Sequence, residues 1–336
     1  MSPRARGGIF ARATLLAASL TLPATLLAQT AGAPFVLETK IPLGEVSGRI
    51  DHLAIDLKRQ RLFVAELGNN SLGVVDLAAG KVMHRIGGFS EPQGVAYVPF
   101  TDSVYVTNGG DGSVRVLRGE DLTQIGRIEL GDDADNVRVD AKRHRVLVGY
   151  GKGALAVIDP ATRTKTADFH LKGHPESFQI DETGTQVFVN VPDAREIAVV
   201  DLAAEGNRSW PTQGAGSNFP MAIDDGAHRV LVAFRSPPTL MAFSSQDGRI
   251  IAKLEICGDA DDVFVDSRRR RVYVTCGEGT VDVLEQDGAG YRRLAQVPTA
   301  SGARTSLFVP ELVRLFVAVR AGWNEPAAIW VFHPSP

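Results

Sequence analysis

Short stretches in which apolar and polar residues alternate recur along most of the chain. They begin at Arg61 (RLFVAE), Ser103 (SVYVTN), Arg145 (RVLVGY), Gln186 (QVFVNV), Arg229 (RVLVAF), Arg271 (RVYVTC) and Arg314 (RLFVAV). The second residues, Leu62, Val104, Val146, Val187, Val230, Val272 and Leu315, follow one another at intervals of 41 to 43 residues. A period of two marks half-buried strands. A long period that repeats seven times marks an array of equivalent supersecondary units.

Each unit carries the same plan. A first strand precedes the segment and in five units ends in Asp: Asp56, Asp140, Asp181, Asp224 and Asp266. A turn such as AKRH or SRRR follows. The Asp carboxylate bonds the backbone ahead of it, so these five are read as structural. A third strand comes after a Gly- or Asn-rich loop (SLGVVD, SVRVLR, ALAVID, EIAVVD, TVDVLE). A more polar fourth strand completes the unit, as in GRIEL from Gly126 or IIAKLEI from Ile250. This pattern predicts an all-β fold, a seven-bladed β-propeller of four-stranded antiparallel blades. The last unit shows strands near Arg304, Arg314 and Ala327 and reaches Pro336 without a fourth. The lone strand Phe35–Leu43 is expected to complete blade seven from outside and close the ring, which leaves no broken blade at the seam.

The first 28 residues follow a different pattern. Arg4, Arg6 and Arg12 precede an apolar run from Ala13 to Leu27, with small residues at Ala28, Ala31 and Ala33. This is the build of a secretory signal peptide cut after Ala28. It leaves residues 29–336 as one propeller domain, periplasmic or secreted. The run is short for a membrane span, which needs roughly 20 residues. No later stretch is apolar enough to span a bilayer.

The formal charge is −3, and loss of the leader removes further positive charge. An acidic chain without a basic stripe is a poor nucleic-acid binder. Neither CxxC nor CxxCH occurs, so neither a Cys zinc site nor a c-type haem is supported, and a quinone or redox propeller is the most distant reading. The two cysteines, Cys257 and Cys276, lie toward the open end of the blade-six hairpin. In an oxidising compartment a pair so placed forms a disulfide; two free buried thiols are the alternative.

The literal YVTN at Tyr105–Asn108 and YVTC at Tyr273–Cys276 resemble the YVTN-repeat, YncE-like family of secreted bacterial propellers. The resemblance covers nearly all of the chain after the leader. GDDADNVRVD, GHPESFQID, GDADDVFVD and SGARTSLFVPE are similar to one branch of it. It implies a periplasmic or secreted seven-bladed propeller. It implies no single reaction, and binding or scaffold roles are commoner than catalysis.

In a propeller the first strand of each blade lines the central channel. Counting eleven residues back from the repeated apolar positions gives one mouth residue per blade: Asp51, Gln93, Asp135, Glu176, Phe219, Asp261 and Arg304. Two residues earlier stand Arg49, Glu91, Asp133, His174, Ser217, Asp259 and Gly302, and one residue later His52 and Asn136. Asp51, Gln93, Asp135, Asn136, Glu176, Asp261 and Arg304 are therefore the candidate ligand-binding set. Asp51, Asp135, Glu176 and Asp261 are the candidate metal ligands, with a divalent Ca²⁺ or Mg²⁺ as the cofactor such oxygens take. Blades three and six face each other, and the expectation places Asp51 and Glu176 on one arc between Asp135 and Asp261, with Arg304 on the other. The alternative is that these acids bond loop N–H groups and water.

Two functions of different class follow. One is a monomeric binding or scaffold module for a small molecule, a metal ion or a periplasmic protein. The other is a lactonase or lactonising isomerase in which His52, His174 and Glu176 act as acid or base and Arg304 holds an oxyanion. No Gly-rich phosphate cradle, GxSxG, HExxH or complete calcium loop is present. Trp210, Trp323 and Trp330 are too few for a stacking platform, and Trp323, in a loop, is the one to watch.

Overall fold

The computed structural model describes residues 1–2, 34–204, 206–323 and 325–335. Nearly all of the expected leader, residues 1–28, lies outside the described residues. The described residues from 34 onward form one compact unit. Among the described residues no helix is long and apolar enough to cross a membrane.

The unit is a seven-bladed propeller of four-stranded antiparallel sheets. Blade one runs outward through Leu53–Asp56, Arg61–Glu66, Ser71–Asp76 and Lys81–Gly87. The other inner strands are Pro92–Val98, Ala134–Asp140, Phe178–Ile180, Gly216–Asp224, Ala260–Asp266 and Ser306–Val309. Each inner strand touches those of both neighbouring blades, so the ring closes on itself. In blade seven the chain runs outward through Ser306–Val309, Arg314–Val319 and Ala328–Pro334, and Phe35–Pro42 adds the outer strand. Phe35 pairs with Pro334 and Pro42 with Ala328.

The strand patterns follow from sandwiching each blade between two others. Middle strands are covered on both faces, and Arg61–Glu66 is buried throughout. Outer strands keep one face in water, and Lys81–Gly87 is largely exposed. The apolar core is accordingly divided among the blade interfaces. One cluster joins Tyr105 and Val116 of blade two to Val137 and Val148 of blade three; another joins Phe188 and Trp210 of blade four to Val232 and Phe243 of blade five. Burying side chains of this size contributes roughly 1.5–3 kcal/mol each, which makes the interfaces the main source of stability.

At the face away from the mouth, the five turn aspartates accept backbone N–H groups. Asp56 takes that of Arg59 at 3.1 Å, Asp140 that of Arg143 at 3.1 Å and Asp266 that of Arg269 at 3.2 Å. Asp224 and Asp181 do the same for Ala227 and Gln186. Cys257 and Cys276 form a disulfide with Cα atoms 5.9 Å apart, on either side of the blade-six hairpin.

Candidate channel-mouth site

Backbone bonding brings the mouth residues together. The N–H of His52 donates to the carbonyl of Gln93 at 3.2 Å, and that of Ser177 to the carbonyl of Phe219 at 3.2 Å, each across a blade boundary. In blades two, three, five and six the inner strand also bulges where its mouth residue sits, between Pro92 and Val95, Ala134 and Val137, Asn218 and Met221, and Ala260 and Asp262. A bulge inserts an unpaired residue and re-aims its side chain. Hydroxyls from neighbouring strands hold this geometry. Thr107 of the YVTN segment donates to the carbonyl of Asp135, one blade on. Thr275 of YVTC meets the Ser306 hydroxyl at 2.7 Å.

The rim divides into two halves. On the arginine side, Asp261 is paired with Arg235 and lies 3.2 Å from Nε of Arg304. Asp259 lies 3.2 Å from Arg235 and 3.0 Å from Arg304. Asp51, almost wholly buried, has Nη2 of Arg49 at 3.0 Å, yet its Oδ2 receives no hydrogen bond of good geometry. Gly277, directly after YVTC, makes room for Asp259: a Cβ there would sit 2.0 Å from its carboxylate.

The other side holds Asp135, His174 and Glu176, whose ligand atoms lie within 4.8 Å of one another. His174 Nδ1 is 2.6 Å from the carbonyl oxygen of Gly151. Its Nε2 is 3.7 Å from Asp135 Oδ2, too long for a hydrogen bond, so that attraction is between charges. Asp133 stands 3.5 Å from Nδ1 and accepts from Gln93 Nε2 at 3.1 Å. Neither Asp135 nor Glu176 is paired with an arginine among the described residues.

Burial and like charge dominate the titration of this group. Burial, with Asp135 adding to it against Arg49, pushes the Asp51 carboxyl up to about 7. Burial and then Asp135 push Glu176 up to about 8. For His174 burial acts downward, but Asp135, the Gly151 carbonyl and Asp133 outweigh it and raise the imidazole to about 9. Burial holds His52 below the usual histidine range.

Beneath the rim lies a cavity of about 290 Å³, lined among others by His52, Arg138, Gln179, Asp262 and Ser306. Arg138 donates to the Val137 carbonyl at 2.9 Å and to Ser177 Oγ at 3.2 Å. Asp262 accepts the N–H of Ser306 at 2.6 Å, and burial raises its carboxyl well above the normal range. A larger cleft of about 540 Å³, lined by Arg229, Arg270 and Tyr291, lies at the opposite face by the turns of blades five and six, away from these groups.

The ring order corrects one expectation. Asp51 and Arg304 share the arc that runs through blades seven, one and two, and Glu176 lies on the other arc with Phe219. Asn136 is buried with an Oδ1 that accepts no hydrogen bond among the described residues. Arg235 was missed by sequence reasoning, although it reaches two rim aspartates and lies 4.2 Å over the Phe219 ring. It occupies the place directly after the repeated six-residue segment, where blades two, three and six carry Gly109, Gly151 and Gly277 and blade five extends its second strand to Ser236. An arginine in a glycine column is the signal that could have found it.

No protein-family model matches the chain, and no curated protein matches it. Solved structures do. A chain of hydrazine synthase from Kuenenia stuttgartiensis aligns with a TM-score of 0.73 at 17% identity, over 85% of this chain and 97% of that one. The WD40 repeats of RRP9 align with a TM-score of 0.77 at 10% identity, over 88% and 97%. A chain from a mitotic checkpoint complex aligns with a TM-score of 0.76 at 12% identity, over 95% and 98%. At such identities the likeness shows the fold, a WD40-like seven-bladed propeller, and fold alone does not assign function.

Proposed function

We propose that the protein is a binding propeller that takes a small polar molecule at the channel mouth. One observation carries this. Asp135, buried, and Glu176, half-buried, lie side by side, and among the described residues neither receives an arginine or a loop N–H. Acids that merely tie loops together look like the turn aspartates, each of which accepts a backbone N–H. Buried like charges without such partners are costly and mark a site awaiting a ligand. The matching ligand presents a cation or donors to blades three and four and an acid group to Arg49, whose side chain is 43% exposed.

The disulfide supports an oxidising, secreted setting. A lactonase mechanism is less well supported, because the Arg304 guanidinium is engaged by Asp259 and Asp261 and is not open to an oxyanion. A protein partner is the second reading. Trp323 is 99% exposed on a loop that opens on the mouth face of blade seven.

The test is a thermal-shift screen with hydroxy acids, sugar acids, amino acids and lactones. A ligand at 100 times its Kd adds about 2.7 kcal/mol of stability. The shift should vanish in Glu176→Gln. A panel that leaves the melting temperature unchanged counts against the small-ligand reading.

A further inference from the structure

We propose that Asp135, His174 and Glu176 form a three-ligand site for one divalent transition-metal ion, with Zn²⁺ as the best-fitting occupant and a fourth position open to the channel mouth. The inference deepens the reading of the mouth as a binding site, and it fails separately from it.

The geometry comes first. The three ligand atoms lie within 4.8 Å of one another, and the His174–Asp135 pair is at 3.7 Å. Tetrahedral Zn²⁺ with bonds near 2.0 Å needs ligand atoms about 3.3 Å apart, so small side-chain rotations close the site.

The second observation concerns the imidazole alone. Its Nδ1 faces the Gly151 carbonyl at 2.6 Å and so must carry a hydrogen, because a carbonyl only accepts. That leaves Nε2 as the atom turned toward Asp135. A ligating histidine usually has this arrangement, with its other ring N–H donated to a carbonyl that fixes tautomer and orientation. The support extends outward. Gln93 holds Asp133 beside the ring, and the Thr107 hydroxyl holds the bulge that carries Asp135.

The same geometry selects among the acids. Asp51 and Asp261 are matched to Arg49, Arg235 and Arg304, whose positive charge disfavours a cation beside them. Among the described residues Asp135 and Glu176 have no such partner. One imidazole with two carboxylates suits Zn²⁺ better than Ca²⁺ or Mg²⁺, which take oxygen ligands in larger number. Two carboxylates also neutralise the charge of the ion, and the open position can take water or a donor atom of the bound molecule, whose acid group faces Arg49.

The experiment is calorimetric titration of ZnCl₂ into the full chain after treatment with a chelator. The expected result is one Zn²⁺ per chain, weakened by about 100-fold or more in His174→Ala and in Glu176→Gln, and by less than about threefold in Asp121→Asn, at an exposed turn outside the mouth. CaCl₂ should bind far more weakly. Circular dichroism shows whether each variant folds. Should a variant fail, Co²⁺ loaded into the unaltered chain gives the visible absorption of a four-coordinate site, and anomalous diffraction of Zn²⁺-soaked crystals places the ion. Zn²⁺ binding that is absent, that survives loss of His174, or that maps away from these three residues overturns the proposal. A chain that binds no Zn²⁺ but responds to the small-molecule panel refutes only the metal site. A chain that binds Zn²⁺ and ignores the panel refutes only the small-ligand reading.

Discussion

Nδ1 of His174 lies 2.6 Å from the carbonyl oxygen of Gly151. The contact joins blade four to blade three through a glycine in the left-handed region, at φ 61°. A Cβ at Gly151 would meet nothing closer than 3.8 Å, so backbone conformation and not space demands glycine there. The expected outcome is a histidine that keeps its Nδ1 proton whether or not Nε2 is occupied. Nitrogen-15 NMR of the ring, with and without Zn²⁺, checks this: only the Nε2 resonance should report the metal. A spectrum in which Nδ1 loses its proton would contradict the assigned geometry.

Stability of the metal-free chain should fall as pH rises from about 5 to 9. Asp51 and Glu176 have folded values of about 7 and 8, above their ordinary 3.8 and 4.5, and Asp262 is raised as well. His174 is raised to about 9 from 6.5. Within that window the folded chain therefore holds protons that the unfolded chain releases, and stability is lost as pH climbs through the folded values. Below this window the sign reverses. Asp102, held down to about 2 chiefly by Arg59, contributes above 3.8 and loses its effect in acid. Melting temperature measured in chelator across pH should peak near the acid end, and Glu176→Gln should flatten its fall. A melting temperature that rises steadily from pH 5 to 8 would show that these groups are not buried as described.

The architecture was legible because burial on both faces of the middle strands repeats with every blade, and because a last unit short of one strand points to Phe35–Leu43. The turn aspartates were legible because their partners are local. The site was legible only in part. Asp51, Asp135, Glu176, Asp261 and Arg304 of the mouth column lie within electrostatic reach of one another, but the partners that divide them come from other columns and neighbouring blades. Arg304 meets Asp259 of blade six, His174 meets Asp135 of blade three, and Arg235 of blade five meets Asp261 of blade six. A period of about 42 residues describes what is equivalent between blades. It does not describe what touches across them, and this is why Arg138 and Asp262, buried one layer lower, also escaped notice.

The blade-six disulfide closes a short loop, with a sequence separation of 19. In the chain-entropy model this contributes on the order of 3 kcal/mol. Cys257→Ser with Cys276→Ser should therefore lower the melting temperature by roughly 5–10 °C. Intact mass before and after reduction is the direct check, and no two-dalton change would rule the bond out.

Ring closure depends on an outer strand far away in sequence. Phe35 is buried against Tyr273, with ring centroids 4.6 Å apart, and Lys40 lies over the Trp330 ring at 3.6 Å. Phe35→Ala should cost about 3–5 kcal/mol. Deleting residues 34–46 should bare the edge of Ala328–Pro334 and give aggregated protein. A monomeric deletion variant with an unchanged melting temperature, seen by light scattering and calorimetry, would show that blade seven is complete without it.

Asp135 and Asp261 occupy equivalent places in facing blades, yet their substitutions should act differently. Asp261 is held by Arg235 and Arg304, and its removal leaves two guanidinium groups sharing Asp259. Asp261→Asn should therefore destabilise by about 1–3 kcal/mol, the usual cost of an unmatched buried polar group. Among the described residues Asp135 pairs with no arginine. It attracts His174, but it also raises Glu176 and Asp51 by repulsion, so Asp135→Asn exchanges one effect for the other. The metal-free melting temperature should change little, while Zn²⁺ binding is lost. Chemical denaturation of both single variants and the double variant, with and without Zn²⁺, separates these outcomes. Both aspartates act on Glu176, Asp51 and Arg49 through their charges, so the double variant should depart from the sum of the two single variants. Equal destabilisation by both, with Zn²⁺ binding intact in Asp135→Asn, would make the acidic rim a structural device and remove Asp135 from the proposed site.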